Sequence, residues 1–370
     1  MKIFFIITGI GLGHTMREIA IINELKKRDK NLKIKIAGFE NSYNYFKNKY
    51  DTVKIHGSKF PQSSFNVNSF KVMLYNLPYI FYFISDYIKL KKEIKKFNPD
   101  LIIVDTQPVG AYTGKKLKIK TISIYNLDLA TWDAYQESAK LSFTSYLQSR
   151  FHFKFVADCY KNSDLIIIPT IKKRISDKNF KFVDPILRTY PAELPSEKLL
   201  MKELKLKRKP ILVMLGGSKF GFSIAEKIVS VSERFNEDFI IFGYKDLKTK
   251  NLTSFKFKEN FLEYLKICKA VILISGHTAL SETVVYKKPA LIFPFKNYIE
   301  HYINVSEMKE FSLVKYVDSE LKEKQLESFI KELINKHKIL ERRLKKLKLI
   351  DKGTKEAVDI ILKEGTAKLK

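Results

Sequence analysis

Continuous apolar runs alternate along this chain with stretches of helical periodicity. Residues 3–7 form one run, Ile34, Ile36 and Ala37 a second, and residues 101–104, 119–124 and 165–168 three more. Between the first two, residues 16–28 carry apolar side chains at 16, 19, 20, 22 and 25, the spacing of an amphipathic helix. Apolar strands separated by such helices predict a parallel sheet covered on both faces.

The rhythm breaks between Asp184-Pro185 and Lys209-Pro210, where Pro185, Pro191 and Pro195 precede a Lys-rich stretch, residues 198–209. This predicts a first domain over residues 1–184, a linker over 185–209 and a second domain over 210–350. A C-terminal helix over 351–370 is expected to pack back on the first domain. Beyond Pro210 the pattern restarts: strand 211–215, helix from Ser223, strand 239–242, helix 260–268, strand 271–274, helix 278–286, strand 290–293. The Lys-rich helices from about Ser319 onward read as solvated faces over a modest apolar stripe. A length of 370 residues accommodates two such cores.

Composition adds less. A hydrophobic content of 45% with 29% charged residues is globular. Cys159 and Cys268 lack metal-ligand spacing and suit a reducing, cytoplasmic setting as small core residues. The N-terminal apolar run stops at Thr8-Gly9, too short for a signal peptide. The net charge of +28 raises nucleic acid as a partner, but nine of the 68 basic residues are Arg and fifty-nine are Lys. Base readout and stacking favour Arg, and no nucleic-acid module is visible. A Lys-biased surface, an anionic substrate or an anionic membrane surface fits better. A non-catalytic protein binding polyanions stays open as an alternative.

Residues 65–90 are dense in aromatics, among them Phe70, Tyr75, Tyr79, Phe81, Tyr82, Phe83 and Tyr87. Asn76, Pro78, Ser85 and Asp86 exclude a bilayer span. The segment is either a buried helix pair or an interfacial patch, since Lys89, Lys91, Lys92, Lys95 and Lys96 follow. Residues 151–155, with His152 and Lys154 interleaved, are a weaker candidate of the same type.

Three loops carry candidate chemistry. The first, Thr8-Gly9-Ile10-Gly11-Leu12-Gly13-His14-Thr15-Met16-Arg17-Glu18, puts three glycines after a strand, letting the backbone approach a ligand. Thr15 and Glu18 have capping-box spacing, which predicts a helix start at Thr15 with His14 just before it. Strand ends and helix N-termini on that edge favour anions. A dinucleotide fingerprint fails where His14 stands in place of its third glycine, although Glu40 sits where a ribose-binding acid would go. A nicotinamide enzyme is therefore a weak alternative. The second domain repeats the device with Gly216-Gly217-Ser218, followed by Ser223-x-x-Glu226 as another capping box. The third stretch reads Ser275-Gly276-His277-Thr278, then Glu282, then Pro294 and Glu300-His301-Tyr302-Ile303-Asn304. Here a helix opens with amides able to bind phosphate, and Glu282 is placed to accept hydrogen bonds from a ribose diol. Asp105 and Gln107 follow a strand at the same edge as His14; Asp105 is an acceptor-side candidate, with a helix-capping role favoured. His56, His152 and His337 read as structural.

Together these residues resemble the GT-B glycosyltransferases that use nucleotide sugars. The branch is that of the peptidoglycan-precursor N-acetylglucosaminyltransferase, the diacylglycerol glycosyltransferases and related archaeal proteins. The likeness covers nearly the whole chain: Gly11 to His14 matches the family's G-x-G-H loop, Gly216 to Ser218 its Gly-Gly-Ser loop, and Gly276 with Glu282 its donor motif. Residues 183–188 look like the passage from the first domain to the second.

The resemblance implies an α/β GT-B fold, two Rossmann-like domains facing each other across a cleft. It implies metal-independent transfer of a hexose or N-acetylhexosamine from a UDP-linked sugar to an acceptor hydroxyl, with inversion. The nucleotide sugar is co-substrate, and no cofactor or metal is expected. His14 would act as base, with Gly11, Gly13 and Asp105 on the acceptor side. Gly216, Gly217, Ser218, Ser275, Gly276, His277, Thr278, Glu282, Glu300 and His301 would hold the donor. A lipid-linked acceptor and a peripheral position on the inner face of the cell membrane follow from the same likeness. This chain has Glu300-His301 where the family often has Asp-Gln or Glu-Gln, a departure at the donor sugar, and His277 where relatives carry other residues. Nucleotide-sugar epimerases and hydrolases share the fold, and Gly-His-Thr-Met-Arg is similar to a string in the hydrolases.

Overall fold

The computed structural model describes residues 1–58, 74, 76–138, 142–171, 174–215, 221–295, 298–306, 308–316, 321–348 and 351–366. The chain divides into two compact units. The first contains the described residues up to Arg188 together with the segment from Lys352; the second runs from Thr189 to Asp351.

In the first unit the elements follow as β1 (Lys2–Ile7), α1 (Gly13–Arg28), β2 (Lys33–Gly38), α2 (Glu40–Phe46), β3 (Asp51–Lys54), α3 (Tyr79–Phe97) and β4 (Leu101–Asp105). Then come α4 (Pro108–Leu117), β5 (Thr121–Ile124), α5 (Leu129–Ser138), α6 (Phe143–Lys161), β6 (Leu165–Pro169) and β7 (Phe180–Val183). The sheet is parallel, in the order β3-β2-β1-β4-β5-β6-β7. Strand alternation sorts the core onto two faces. Ile3, Phe5 and Ile7 of β1 meet Ile19 and Ile22 of α1 on one side, while Phe4 and Ile6 meet Leu90 and Ile94 of α3 on the other. The strands are apolar throughout because both faces are covered.

In the second unit come α7 (Glu197–Glu203), β8 (Ile211–Met214), α8 (Phe222–Ser232), β9 (Phe239–Phe242), β10 (Leu247–Lys248), β11 (Leu252–Phe255), α9 (Phe261–Ile267) and β12 (Ala270–Ile274). α10 (His277–Val285), β13 (Ala290–Phe293), α11 (Ile299–Ser306), β14 (Ser312–Val314) and α12 (Glu323–Lys345) complete it. Its sheet runs β10-β11-β9-β8-β12-β13-β14, parallel except for the antiparallel β10–β11 pair. Residues 185–209, expected as a linker, hold a 3-10 turn (Pro191–Glu193) and α7, and from Thr189 they belong to the second unit. The last helix, α13 (Gly353–Thr366), sets Ala357, Val358 and Ile361 into the core of the first unit beside α1.

Both sheets reverse their strand order near the centre, between β1 and β4 and between β8 and β12. At such a switch point the neighbouring loops diverge, leaving a crevice at the carboxyl ends of the strands where open α/β sheets bind ligands.

Candidate active site

At the switch point of the first unit, β1 and β4 pair so that Ile7 stands opposite Asp105. The loop after β1 therefore lies beside the end of β4. Its path depends on glycine twice: Gly11 has φ +71°, and a Cβ on Gly9 would sit 1.8 Å from the Phe39 carbonyl oxygen. α1 opens at Gly13, two residues earlier than the capping-box spacing predicts. Thr15 and Glu18 do not cap it; both are buried within the helix. In the second unit Gly221 precedes α8 without a side-chain cap, so Ser223 and Glu226 form no capping box either.

The earlier start places His14, Arg17 and Glu18 on one face of α1, three and four residues apart, over Asp105. His14 Nδ1 lies 2.7 Å from Asp105 Oδ1. Arg17 reaches both carboxylate oxygens, Nη2 at 2.8 and 2.9 Å and Nε at 3.1 Å. Thr106 Oγ1 donates to Asp105 Oδ1 at 3.0 Å, from a backbone with φ +55° that β-branched residues rarely adopt. Asp105 is thus no helix cap; Gln107 occupies the cap position of α4. Burial alone would push the Asp105 carboxyl up, but Arg17 and His14 beside it hold it well below the usual carboxylate range. Burial likewise opposes charge on Arg17, and the acidic groups around it, Asp105 first, together more than offset it.

Because Asp105 is a carboxylate, the hydrogen between it and His14 sits on Nδ1. Arg17 Nη2 also lies 3.0 Å from Nδ1. Nδ1 serves only one of these two contacts: as a donor it serves Asp105, and the Arg17 Nη2 hydrogens go to the carboxylate oxygens. The neutral ring therefore keeps its acceptor lone pair on Nε2. The His14 side chain is about a fifth exposed (22%) while Asp105 is fully covered.

At the switch point of the second unit, β12 ends at Ile274 and Gly276 is the N-cap of α10, with no side-chain cap. Among the described residues, none lies within 4 Å of where a Gly276 Cβ would be. His277, Thr278 and Ala279 of the first turn are partly exposed, so this helix end, with its backbone N–H groups, opens onto space. Glu282 stands in the second turn and is buried, not a solvated first-turn acid. Asn304 on α11, unassigned by sequence, donates from Nδ2 to the Ser275 carbonyl at 3.0 Å and ties α11 to this loop. The Ser275 hydroxyl and Asn304 Oδ1 are buried without a protein partner among the described residues.

His301 is held beside them. The Phe295 N–H donates to His301 Nδ1 at 3.0 Å, and the ring stacks on Phe295 at 4.6 Å and meets Tyr298 edge-on at 4.8 Å. Burial pushes its imidazole down to about 4, with Glu300 opposing part of that. His301 is thus neutral, with its hydrogen on Nε2. Glu300 accepts from the Tyr298 hydroxyl at 2.7 Å.

Gly216, Gly217 and Ser218 lie outside the described residues, as do residues 59–73 and Tyr75 of the aromatic segment. Among the described residues no three His, Cys, Asp or Glu side chains gather as metal ligands. No described helix is long and apolar enough to cross a membrane. From Tyr79 onward the aromatic segment lies on one helix, α3, preceded by a turn over residues 76–78, and much of it is open. Leu77, Ile80, Phe81, Ile84 and Ile88 are exposed, Phe81 to 75%. Phe143, Leu147 and Phe151 make a similar exposed stripe on α6, and Phe155 one turn further meets Tyr79 of α3 at 5.9 Å.

Residues 1–334 match the model of the family described as glycosyl transferase family 1. An uncharacterized glycosyltransferase of Methanosarcina acetivorans is 24% identical over 333 residues, 84% of each chain. The UDP-N-acetylglucosamine–N-acetylmuramyl-(pentapeptide) pyrophosphoryl-undecaprenol N-acetylglucosamine transferase of Thermosipho africanus is 26% identical over 356 residues, covering 89% of this chain and 88% of its own. Among solved structures, a UGT transferase from Siraitia grosvenorii in complex with UDP superposes with a TM-score of 0.66 at 12% identity, covering 99% of this chain and 100% of its own. The fold is the GT-B arrangement of two Rossmann-like domains.

Proposed function

The chain belongs to glycosyl transferase family 1, and from that premise we propose that it moves a sugar from a uridine diphosphate sugar to a hydroxyl of a lipid-linked acceptor. The observation that carries the reading is the His14–Asp105 pair at 2.7 Å. An imidazole with Nδ1 donating to a buried carboxylate presents Nε2 as a base, as general acid–base catalysis requires. It lies in the crevice of the first unit, which is therefore the acceptor side.

The second unit would take the nucleotide. The open N-terminus of α10 suits a diphosphate, whose charge grows as the glycosidic bond breaks. Backbone amides there would stabilise that charge without a metal. Glu282 would meet the ribose hydroxyls, and Glu300 and His301 the sugar. His301 offers a single N–H at Nε2, where an amide side chain would offer both a donor and an acceptor. Attack by the acceptor oxygen from the face opposite the diphosphate inverts the anomeric centre.

The donor class and the lipid acceptor rest on likeness: the Thermosipho relative is named for UDP-N-acetylglucosamine and a pyrophosphoryl-undecaprenol acceptor, and the Siraitia structure holds UDP. The exposed apolar side chains of α3 and α6, followed on α3 by exposed Lys89, Lys91, Lys92, Lys95 and Lys96, support docking on an anionic membrane surface.

A melting-temperature panel of nucleoside diphosphate sugars tests the donor, because a ligand of the native state raises the midpoint by mass action. UDP sugars are expected to give the largest rise. Equal or absent shifts with all of them would remove the UDP assignment. Rapid stoichiometric consumption of donor with no acceptor present would mark a nucleotide-sugar hydrolase or epimerase instead.

A further inference from the structure

We propose that Arg17 is a positioning residue for proton transfer at His14, holding Asp105 as the carboxylate that in turn orients the ring with hydrogen on Nδ1 and lone pair on Nε2. The inference rests on His14 as the base and goes one layer beneath it. Arg17 is 3% exposed and its guanidinium is aligned on both Asp105 oxygens, so it has no reach to a ligand of its own. Its Nη2 stands 3.0 Å from His14 Nδ1, so the guanidinium charge lies against the ring as well as against Asp105.

The surroundings decide the charge. Glu18, from the next position on α1, is fully buried with neither oxygen meeting a protein donor. Burial, then the Asp105 carboxylate, push its carboxyl well up, with Arg17 opposing part of that. From α6, the Cys159 thiol and Tyr160 phenol face the same cluster, both pushed up by burial. The Tyr125 ring adds its hydroxyl from the end of β5. Directly under His14, the Arg17 guanidinium and the Asp105 carboxylate face each other as a pair of opposite charges.

During transfer the acceptor O–H bond breaks, its proton goes to Nε2 and its oxygen bonds the anomeric carbon. The bond from that carbon to the diphosphate breaks with its electron pair remaining on the phosphate oxygen. The imidazolium so formed lies between Asp105, which attracts it, and Arg17, which repels it. It then returns the proton to solvent. Without Arg17, the attraction of Asp105 stands unopposed and the ring holds its proton to higher pH.

The test is Arg17→Met in the full chain, read by histidine side-chain NMR against pH and by the pH profile of transfer. The His14 titration and the acid limb of kcat are expected to move up together by about one pH unit, the size of shift a neighbouring charge produces. KM for the nucleotide sugar is expected to stay within about twofold, since uniform donor binding is untouched. Arg17→Met/Asp105→Asn, which removes both charges, should bring the titration back down. It also serves if the single variant does not fold. A lower melting point with the His14 titration unchanged in every folded variant would make Arg17 merely structural and overturn the proposal. Failure of the wild-type protein to transfer any sugar would sink the glycosyl-transfer reading instead, while the NMR titration would still judge Arg17.

Discussion

His14 Nδ1 and Asp105 Oδ1 meet at 2.7 Å across 91 residues of sequence. The contact exists because β4 returns to pair with β1 after the chain has run out through β2 and β3. It fixes the ring of a first-turn histidine, the group proposed above as the base.

The pair should behave as one unit in kinetics. Asp105→Asn puts an amide opposite Nδ1, able to donate to it and so to move the ring hydrogen to Nε2, and it leaves the Arg17 guanidinium uncompensated. Both it and His14→Ala are expected to lower the transfer rate by about 10²–10⁴-fold, the range of general acid–base contributions. The double variant should be little worse than either single one. Steady-state rates with a saturating nucleotide sugar measure this, and wild-type turnover in Asp105→Asn would speak against the pair.

Much of this was legible in the sequence, and the omissions have a shared cause. Strands buried on both faces announce themselves as apolar runs, and β9 and β13 match their expected bounds residue for residue. The strands missed, β3, β7, β10, β11 and β14, all lie on the outer parts of the sheets, short and partly polar. The Thr15–Glu18 spacing misled because a capping box and two buried helix residues have the same pattern; only the third dimension separates them. Arg17 and Glu18 carried a usable signal, two charged residues in an otherwise apolar helix face directly after His14. The partnership with Asp105 required knowing which strand returns beside β1.

Glu18 makes a prediction of opposite sign to most carboxylates. Its carboxyl is raised in the fold above the ordinary 4.5, first by burial. The folded state therefore binds more protons than the unfolded one, and stability falls as pH rises above about 4.5. Glu18→Gln removes this loss while keeping the shape. Urea unfolding from pH 5 to 8 should find the variant gaining on the wild type as pH rises. A constant difference between the two would mean that Glu18 is ionised in the fold.

His301 works the other way on the pH axis. Burial lowers its imidazole from 6.5 to about 4, so the unfolded chain binds the extra proton between those values. Stability is then lost as pH falls from about 6.5, by roughly 2 kcal/mol at pH 5 for this one group. His301→Gln should lose that much less between pH 7 and pH 5 in parallel urea titrations. An identical loss in both proteins would show that His301 is free to protonate in the fold.

The apolar stripes on α3 and α6 are testable without any substrate. Replacing Phe81 and Ile84 by Ser removes two exposed side chains, and burying each in an apolar phase is worth about 1.5–3 kcal/mol. Binding to phosphatidylglycerol vesicles, measured by cosedimentation, should weaken by at least about tenfold per residue. It should also weaken with added salt as the lysines of α3 are screened. Undiminished binding by the double variant would remove these residues from any membrane contact.

The central claim is a division of labour, with the base on the first unit and the nucleotide on the second. Calorimetric titration of UDP into the wild type, Glu282→Ala and His14→Ala tests it most directly. The account predicts that Glu282→Ala weakens UDP binding by about tenfold or more, the worth of hydrogen bonds to a charged group. It predicts that His14→Ala binds UDP within about twofold of the wild type while losing transfer. Unchanged UDP affinity in Glu282→Ala, or its loss in His14→Ala, would contradict it.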